Sequence, residues 1–331
     1  YYGAYLFVAD YNIVMHNDFS SSGSVGIYLE QSNNNQIIEN NATSAGNYGI
    51  NLFESDRNLI DLNDVKFGTD IGIELSSSNY NNVTNNIAQE SDVGISIRFS
   101  SNNRIMRNQA VGNDIGVYLL RSSNNIILEN NASTNNNVGI DLSLSDFNEI
   151  IGNTVNENPN YGIHLYSSEM GIIAGNTVDL NGVGVYLDWS ENNIIQENTI
   201  TQNGFAGIAI YWSSDNNQIL FNQASSNMNI SIRISSSKFN HVEGNNVSLS
   251  GVGIFLDWSE SNVIVNNAAD FNAYHGITLE WFSDKNQVTN NSATGSLIGI
   301  SLDMSSDNII SYNNASLNDI GISLEWTSNN N

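Results

Sequence analysis

Six acidic residues fall at one phase of this 331-residue chain: Glu30, Asp188, Asp257, Glu280, Asp303 and Glu325, the last four separated by 23, 23 and 22 residues. If each interval is one turn of a solenoid, those four carboxylates stack about 4.8 Å apart. Carboxylates that close must share protons, attract a cation or splay into solvent. An oxygen-rich stripe suits Ca²⁺, so Asp257, Glu280, Asp303 and Glu325 are the candidate metal ligands; a solvated acidic face is the plainer expectation, and no cofactor is required. The position that follows holds Trp189, Trp212, Trp258, Trp281 and Trp326, all five tryptophans of the chain. Two readings of this row stand side by side. With Asp188, Asp257, Glu280, Asp303 and Glu325, the rings of Trp189, Trp258, Trp281 and Trp326 would make a stacking platform for a sugar. The plainer reading is a buried corner that widens toward the C-terminal half, because Val8, Phe99, Leu144, Ile234 and Met304 are placed at the same phase and alternate residues share one face of a strand.

Other chemistry is thinly represented. Two carboxylates roughly 5 to 9.5 Å apart would serve a glycosidase, but any acidic ladder offers such pairs, so no catalytic residue is assigned. The four histidines, His16, His164, His241 and His275, sit at different phases and form no metal or triad constellation. Cysteine is absent, which excludes disulfides and a thiol nucleophile and says nothing about compartment. Asn-x-Ser/Thr sequons begin at Asn41, Asn82, Asn131, Asn229, Asn246, Asn290 and Asn314. They are no more than chance provides in a chain so rich in Asn, Ser and Thr, and they are acceptors only if the chain is exported.

The elements that must position these residues follow from a second periodicity. A glycine followed by apolar, any, apolar recurs as Gly26-Ile-Tyr-Leu, Gly49-Ile-Asn-Leu, Gly139-Ile-Asp-Leu and Gly321-Ile-Ser-Leu, with a spacing of 22 to 24 residues from Gly3 onward. Period two marks a strand with one face buried. The row departs from glycine in one coil, where Asn229 is taken as its replacement, suited to a left-handed corner. A second motif, Asn-x-Ile/Val-x-x-Asn, runs through Asn35 to Asn40, Asn103 to Asn108, Asn193 to Asn198 and Asn308 to Asn313; among its copies only Gly171 breaks the opening position. Two residues further on stands a small apolar residue such as Ala42, Val65 or Ala110, read as a third short strand. Stacked closing asparagines would form a ladder, each amide donating to the oxygen of the next. The expected fold is all-β: a single-stranded right-handed parallel β-helix of about 14 coils of 22–24 residues, three short strands per coil, its hand set by the right-handed preference of parallel crossovers. Inward residues should include Ile27, Leu29, Ile37, Ile105, Val117, Leu119, Ile140, Ile163, Ile195, Ile208, Ile254, Leu256, Ile300 and Ile322. The irregular coil is placed between Asn222 and Asn245.

Composition fits a repeat array. Apolar residues make up 40% of the chain, evenly spaced and interrupted by one proline, Pro159, and no composition shift marks a linker, so residues 1–331 read as one domain. A formal net charge of −25, from 34 acidic and 9 basic residues, makes nucleic acid and anionic membrane surfaces poor partners. No apolar run approaches the roughly 20 residues of a membrane span.

The glycine-Ile-x-Leu strand, the Ser/Asn-rich turn and the Asn-x-Ile-x-x-Asn motif together resemble the parallel β-helix repeat of NosD-like periplasmic proteins, of carbohydrate-binding and sugar-hydrolase β-helix domains and of methanogen surface proteins. The acidic, cysteine-free composition is most similar to the archaeal surface versions. That resemblance implies an extracellular or cell-surface location. Copper handling, which the NosD resemblance would imply, finds no cysteine and five dispersed methionines. Polyuronate lyases of β-helix type generally need basic groups, and here nine are scattered.

Two functions follow. The first is a structural or adhesive component of a cell-surface assembly, its partners being copies of itself or other surface-layer components. The second is a carbohydrate-active or carbohydrate-binding β-helix, with polysaccharide as partner. Coil length never leaves 22–24 residues, so the long loops that wall an active-site groove are missing, and the reading leans away from an enzyme. Both ends of the sequence lie at nearly the same phase without a cap, which fits either end-to-end association or a segment of a longer surface protein.

Overall fold

The computed structural model describes residues 1–68, 70–326 and 329–331, which fall into two compact units, Tyr1–Pro159 and Asn160–Asn331. Both are built from the same coil. A six-residue strand carries the glycine motif, as in Val25–Glu30 and Tyr48–Phe53 of the first unit and Val183–Asp188 and Val252–Asp257 of the second. A three-residue strand then carries the Asn-x-Ile motif, as in Gln36–Ile38 and Val263–Val265. Each strand pairs in parallel with its equivalent one coil away: Ile27 faces Ile50 and Ile37 faces Ile60, and in the second unit Ile254 faces Ile277 and Ile264 faces Val288. The third run is the least regular. Asp64–Lys66 pairs with Ile87–Gln89, and elsewhere single bridges such as Gln109 to Asn131 or Gln223 to Asn246 hold it. The coils wind as a right-handed parallel β-solenoid of about 14 turns, with no helix among the described residues.

The inward positions are those the alternation predicts. Thirteen of the fourteen named above, Ile27 through Ile300, are fully buried at 0%, while Ile322 in the last strand of the sequence is 49% exposed because no later coil here covers it. Burying each such side chain contributes roughly 1.5–3 kcal/mol. Polar ladders close the corners. The Asn63 amide donates to Asn86 Oδ1 at 3.0 Å and to the Ile37 carbonyl at 2.8 Å, and Asn222 repeats this on Asn245 Oδ1 and the Ile195 carbonyl at 3.0 and 2.8 Å. Two further ladders escaped the sequence reading. Buried serines accept from the backbone one coil earlier, as Ser32 N–H donates to Ser55 Oγ at 3.0 Å and Ser190 N–H to Ser214 Oγ at 2.9 Å. Five residues past the closing Asn, Asn113 donates to Asn135 and Asn203 to Asn227.

Three expectations are corrected. The motif glycines are not left-handed corners; those are supplied by four other residues per coil, for example Gln31, Asn34, Glu39 and Ser44 with φ of 48, 57, 52 and 54°. The glycines answer a close approach instead. A Cβ on Gly26 would lie 2.6 Å from the Gly49 carbonyl oxygen, and one on Gly207 2.6 Å from Asn227 Nδ2. Asn229 is not the stand-in for glycine either: Ile208 faces Ile232 and Ile232 faces Ile254, so Ser231 occupies that row, Ile234 falls in the buried leucine column and Ser236 takes the tryptophan corner. A Cβ fits at Ser231 because the ladder residue beside it is Ser250 where adjacent coils have Asn227 and Asn272, and the two hydroxyls sit 2.8 Å apart. Finally, strand register holds from Asn222 to Asn245. The extra residue widens the preceding corner, Trp212–Ser213, and again Trp281–Phe282, where two successive residues take positive φ.

Candidate functional site

In the unit Asn160–Asn331 the tryptophan row is not core. Trp189, Trp212, Trp258 and Trp281 are 45–52% exposed and Trp326 is 73% exposed. The plainer sequence reading fails because the residue at this phase leaves the strand: all five have φ between 46 and 53°, so the strand's inward alternation ends before them. The left-handed region costs a bulky L-residue on the order of 1 kcal/mol, and Ser167 and Ser236 meet the same turn with a small side chain. Tryptophan is thus required neither by the turn nor by the core. The widened corner adds Phe282, whose ring lies 5.1 Å from that of Trp258 at 44°.

The acidic stripe next to this row is in register, Asp257 facing Glu280, Glu280 facing Asp303 and Asp303 facing Glu325. It is not a uniform solvated face. Asp257 is 9% exposed; Arg233 Nη2 lies 3.1 Å from its Oδ2, and Ser235 Oγ donates to the same oxygen at 3.0 Å. Burial raises the Glu280 carboxyl above the ordinary range, and Asp303 and Asp257 add to the effect, while a hydrogen bond from the Trp281 side chain opposes it. Asp188 is raised by burial, with His164 opposing. Glu30, in the first unit, instead accepts from the Tyr5 hydroxyl, which is pushed up to about 12, chiefly by that bond. Among the described residues no three His, Cys, Asp or Glu side chains converge as a metal would require.

A cluster that the sequence reading missed covers the outer face of the six-residue strands. Val183, Ala206, Ala209 and Ile230 are buried there beneath Tyr161, Tyr186, Tyr211 and Phe255. The Arg233 guanidinium lies 5.7, 5.2 and 5.1 Å from the ring centres of Phe205, Tyr211 and Phe255. The histidines are dispersed as expected: His164 stacks with Tyr161 at 5.0 Å, His16 and His241 pair with Glu39 and Glu243, and His275 is lowered by burial against an opposing Glu325. The signal was available in the outward residue two places after the glycine, which reads Tyr186, Ala209, Arg233, Phe255 when coils are aligned through Ser231. Of the sequon asparagines, Asn82, Asn131, Asn229, Asn290 and Asn314 are exposed, and Asn41 and Asn246 are half-buried.

The family model described as right handed beta helix region matches residues 36–178, and the one described as periplasmic copper-binding protein (NosD) matches 154–269 and 205–331. No curated protein matches the sequence. Solved structures of similar fold include a double mutant of the periplasmic alginate epimerase AlgG, 17% identical at TM-score 0.62 over 87% of this chain and 76% of that one. The Azotobacter vinelandii mannuronan C-5 epimerase AlgE4 A-module is 13% identical at TM-score 0.55, over 92% and 90%. The Dettilon tailspike protein is 15% identical at TM-score 0.54, over 90% and 62%. A resident copper ion does not fit this chain: there is no cysteine, the five methionines are dispersed, and no three His or carboxylate donors converge among the described residues.

Proposed function

Since the chain belongs to the NosD family of parallel β-helix repeat proteins, we propose that it is an adhesive element acting outside the cytoplasm, which holds neutral polysaccharide along the tryptophan row of Asn160–Asn331. The observation that carries this reading is the placement of all five tryptophans, 45% exposed or more, on one left-handed corner that smaller residues also fill. Coils stack about 4.8 Å apart, so Trp189 and Trp212, and again Trp258 and Trp281, place exposed aromatic side chains on adjacent coils, along which a saccharide chain can lie. Such faces attract the apolar side of a sugar ring, each contact being of the order of 1 kcal/mol. An acidic polysaccharide is disfavoured by the adjoining carboxylates and the net charge of −25. The solved epimerases and tailspike support the fold alone; the sugar reading rests on the rings. Binding without catalysis is favoured by coils that never lengthen into a walled groove.

Affinity electrophoresis in gels containing neutral glucans or mannans tests this. The full chain should be retarded, and a variant with Trp189, Trp212, Trp258 and Trp281 replaced by Ala should run as in sugar-free gel while melting within about 2 °C of the parent. Equal retardation of both would end the proposal. The same regular coils support a structural role in which copies pack together in a surface layer. Light scattering should then show mass rising with concentration.

A further inference from the structure

The unit Tyr1–Pro159 carries a cleft of about 270 Å³ on the outer face of its first six-residue strands. Its origin is a step in side-chain size. The outward residue two places after the glycine changes from Tyr28 to Asn51 to Glu74 in successive coils, and these stand in register. The surface drops where the tyrosine row ends. On one side Tyr28 is held as a fixed wall, stacked on Tyr5 at 5.3 Å and 8° and on Tyr2 at 5.5 Å and 28°. Tyr48 and Phe53 add apolar area around the opening.

The floor is polar and incompletely paired. Asn51 Nδ2 donates to Glu74 Oε2 at 3.2 Å, yet Asn51 Oδ1 is buried with no hydrogen-bond partner. A buried acceptor left so costs roughly 1–3 kcal/mol, which a donor entering the cleft would recover. Glu74 is 5% exposed, and its other oxygen lies 3.6 Å from Arg98 Nη1. The charge pattern selects among ligands. An anion meets the buried Glu74 carboxylate, with the one nearby guanidinium already turned to it. A cation finds that carboxylate already engaged by Arg98 and Asn51. Aromatic walls, a free acceptor and a carboxylate already engaged suit a neutral ligand with apolar faces and hydroxyl donors. The volume lies below the range of about 300–1,000 Å³ typical for drug-sized molecules, so a single ring fits and a chain does not.

We propose that this cleft is a subsite for one ring of a neutral sugar, which stacks against the tyrosine wall and donates a hydroxyl to Asn51 Oδ1. The site is independent of the tryptophan row and stands whether or not that row binds polysaccharide.

The test is saturation-transfer NMR on the full chain with methyl β-glucopyranoside, methyl α-mannopyranoside, N-acetylglucosamine, mannuronate and choline, followed by titration. At least one neutral monosaccharide should receive saturation, and Asn51→Leu, which fills the cleft and removes the acceptor, should weaken it at least tenfold. Ser76→Phe narrows the cleft from another strand and should do the same, so that a folding defect in one variant leaves the other to decide; circular dichroism checks both. The quadruple tryptophan variant should bind the monosaccharide unchanged, which separates this site from polysaccharide retention. No transfer to any neutral sugar, transfer indifferent to both cleft variants, or preferential binding of choline or mannuronate would overturn the proposal, leaving a water-filled polar recess.

Discussion

The two units use the same backbone ladders and differ in what they mount on them. At the corner after the six-residue strand, Tyr1–Pro159 carries Val8, Gln31, Glu54, Ser77, Phe99, Arg121 and Leu144, and Asn160–Asn331 carries Ser167, five tryptophans, Ser236 and Met304. All share nearly one backbone conformation, φ from 45 to 53°. A position that accepts Val, Glu, Arg and Trp with the same geometry is not specified by the fold, so its content is free for function. The outer strand face shows a parallel contrast. Among the described residues each unit buries one carboxylate against one arginine. Asp257 sits 3.1 Å from an Arg233 enclosed by three rings; Glu74 sits 3.6 Å from an Arg98 that lies 6.0 Å from the centre of one ring, Tyr118. The second pair is looser and borders an open cleft.

The largest effect should come from breaking those ion pairs. Arg233→Met leaves Asp257 buried without its cation and should cost about 3–5 kcal/mol, whereas Arg98→Met should cost about half as much, since each carboxylate keeps one side-chain donor but the Arg98 pair is wider, at 3.6 against 3.1 Å, and its guanidinium packs on one ring instead of three. Hydrogen exchange in the coils around each site gives the local stability, which suits a solenoid better than one global midpoint. Equal losses would erase the proposed difference. The shared ladders predict the opposite symmetry. Asn86→Ala and Asn245→Ala each remove a buried amide that joins two coils, and both should lose about 2–4 kcal/mol through unpaired buried partners; a large disparity would show that the two units are not built alike.

Next in size is a pH effect. Burial raises Glu74 in the first unit and Asp188 and Glu280 in the second. A raised folded pKa means that the native chain keeps protons the unfolded chain has released. The stability these three groups contribute is therefore fully present below the ordinary carboxylate pKa of about 4 and is lost as pH rises through the raised values, while Asp18 and Glu243, lowered by hydrogen bonds, act in the opposite sense in acid. Thermal melts followed upward from about pH 4 should fall across the range in which these raised carboxyls ionise, and Glu280→Gln should flatten part of that slope. A flat profile in the parent would refute it. The smallest expected effect is that of Ca²⁺. With Asp257 committed to Arg233, only Glu280, Asp303 and Glu325 remain on the stripe, so millimolar Ca²⁺ against chelator should stabilise by about 1 kcal/mol at most, an increment that Glu280→Gln should remove.

The coil, its strands and its inward residues were legible in the sequence because a period-two strand that must meet its own equivalent every 22–24 residues leaves few alternatives. The closing-asparagine ladder was legible for the same reason. What misled was position without geometry. The tryptophans continue the inward count from the glycine, yet one left-handed residue ends the strand before them. Asn229 resembles a glycine substitute by type, while Ser231 is one by register.

Periodicity determined which residues stack in every coil but that of Asn229, where the reading slipped by two residues, since stacking in a parallel solenoid depends on residues per turn. Only the tertiary structure decided which way the corner side chains face, why the glycines are needed, and which outward residues assemble. Facing depends on the φ of single corner residues, and the glycine requirement on atoms of the next coil at about 2.6 Å. The cleft over Asn51 and the Arg233 cluster depend on relative side-chain size across neighbouring coils, a comparison that exists only once the register is fixed in space.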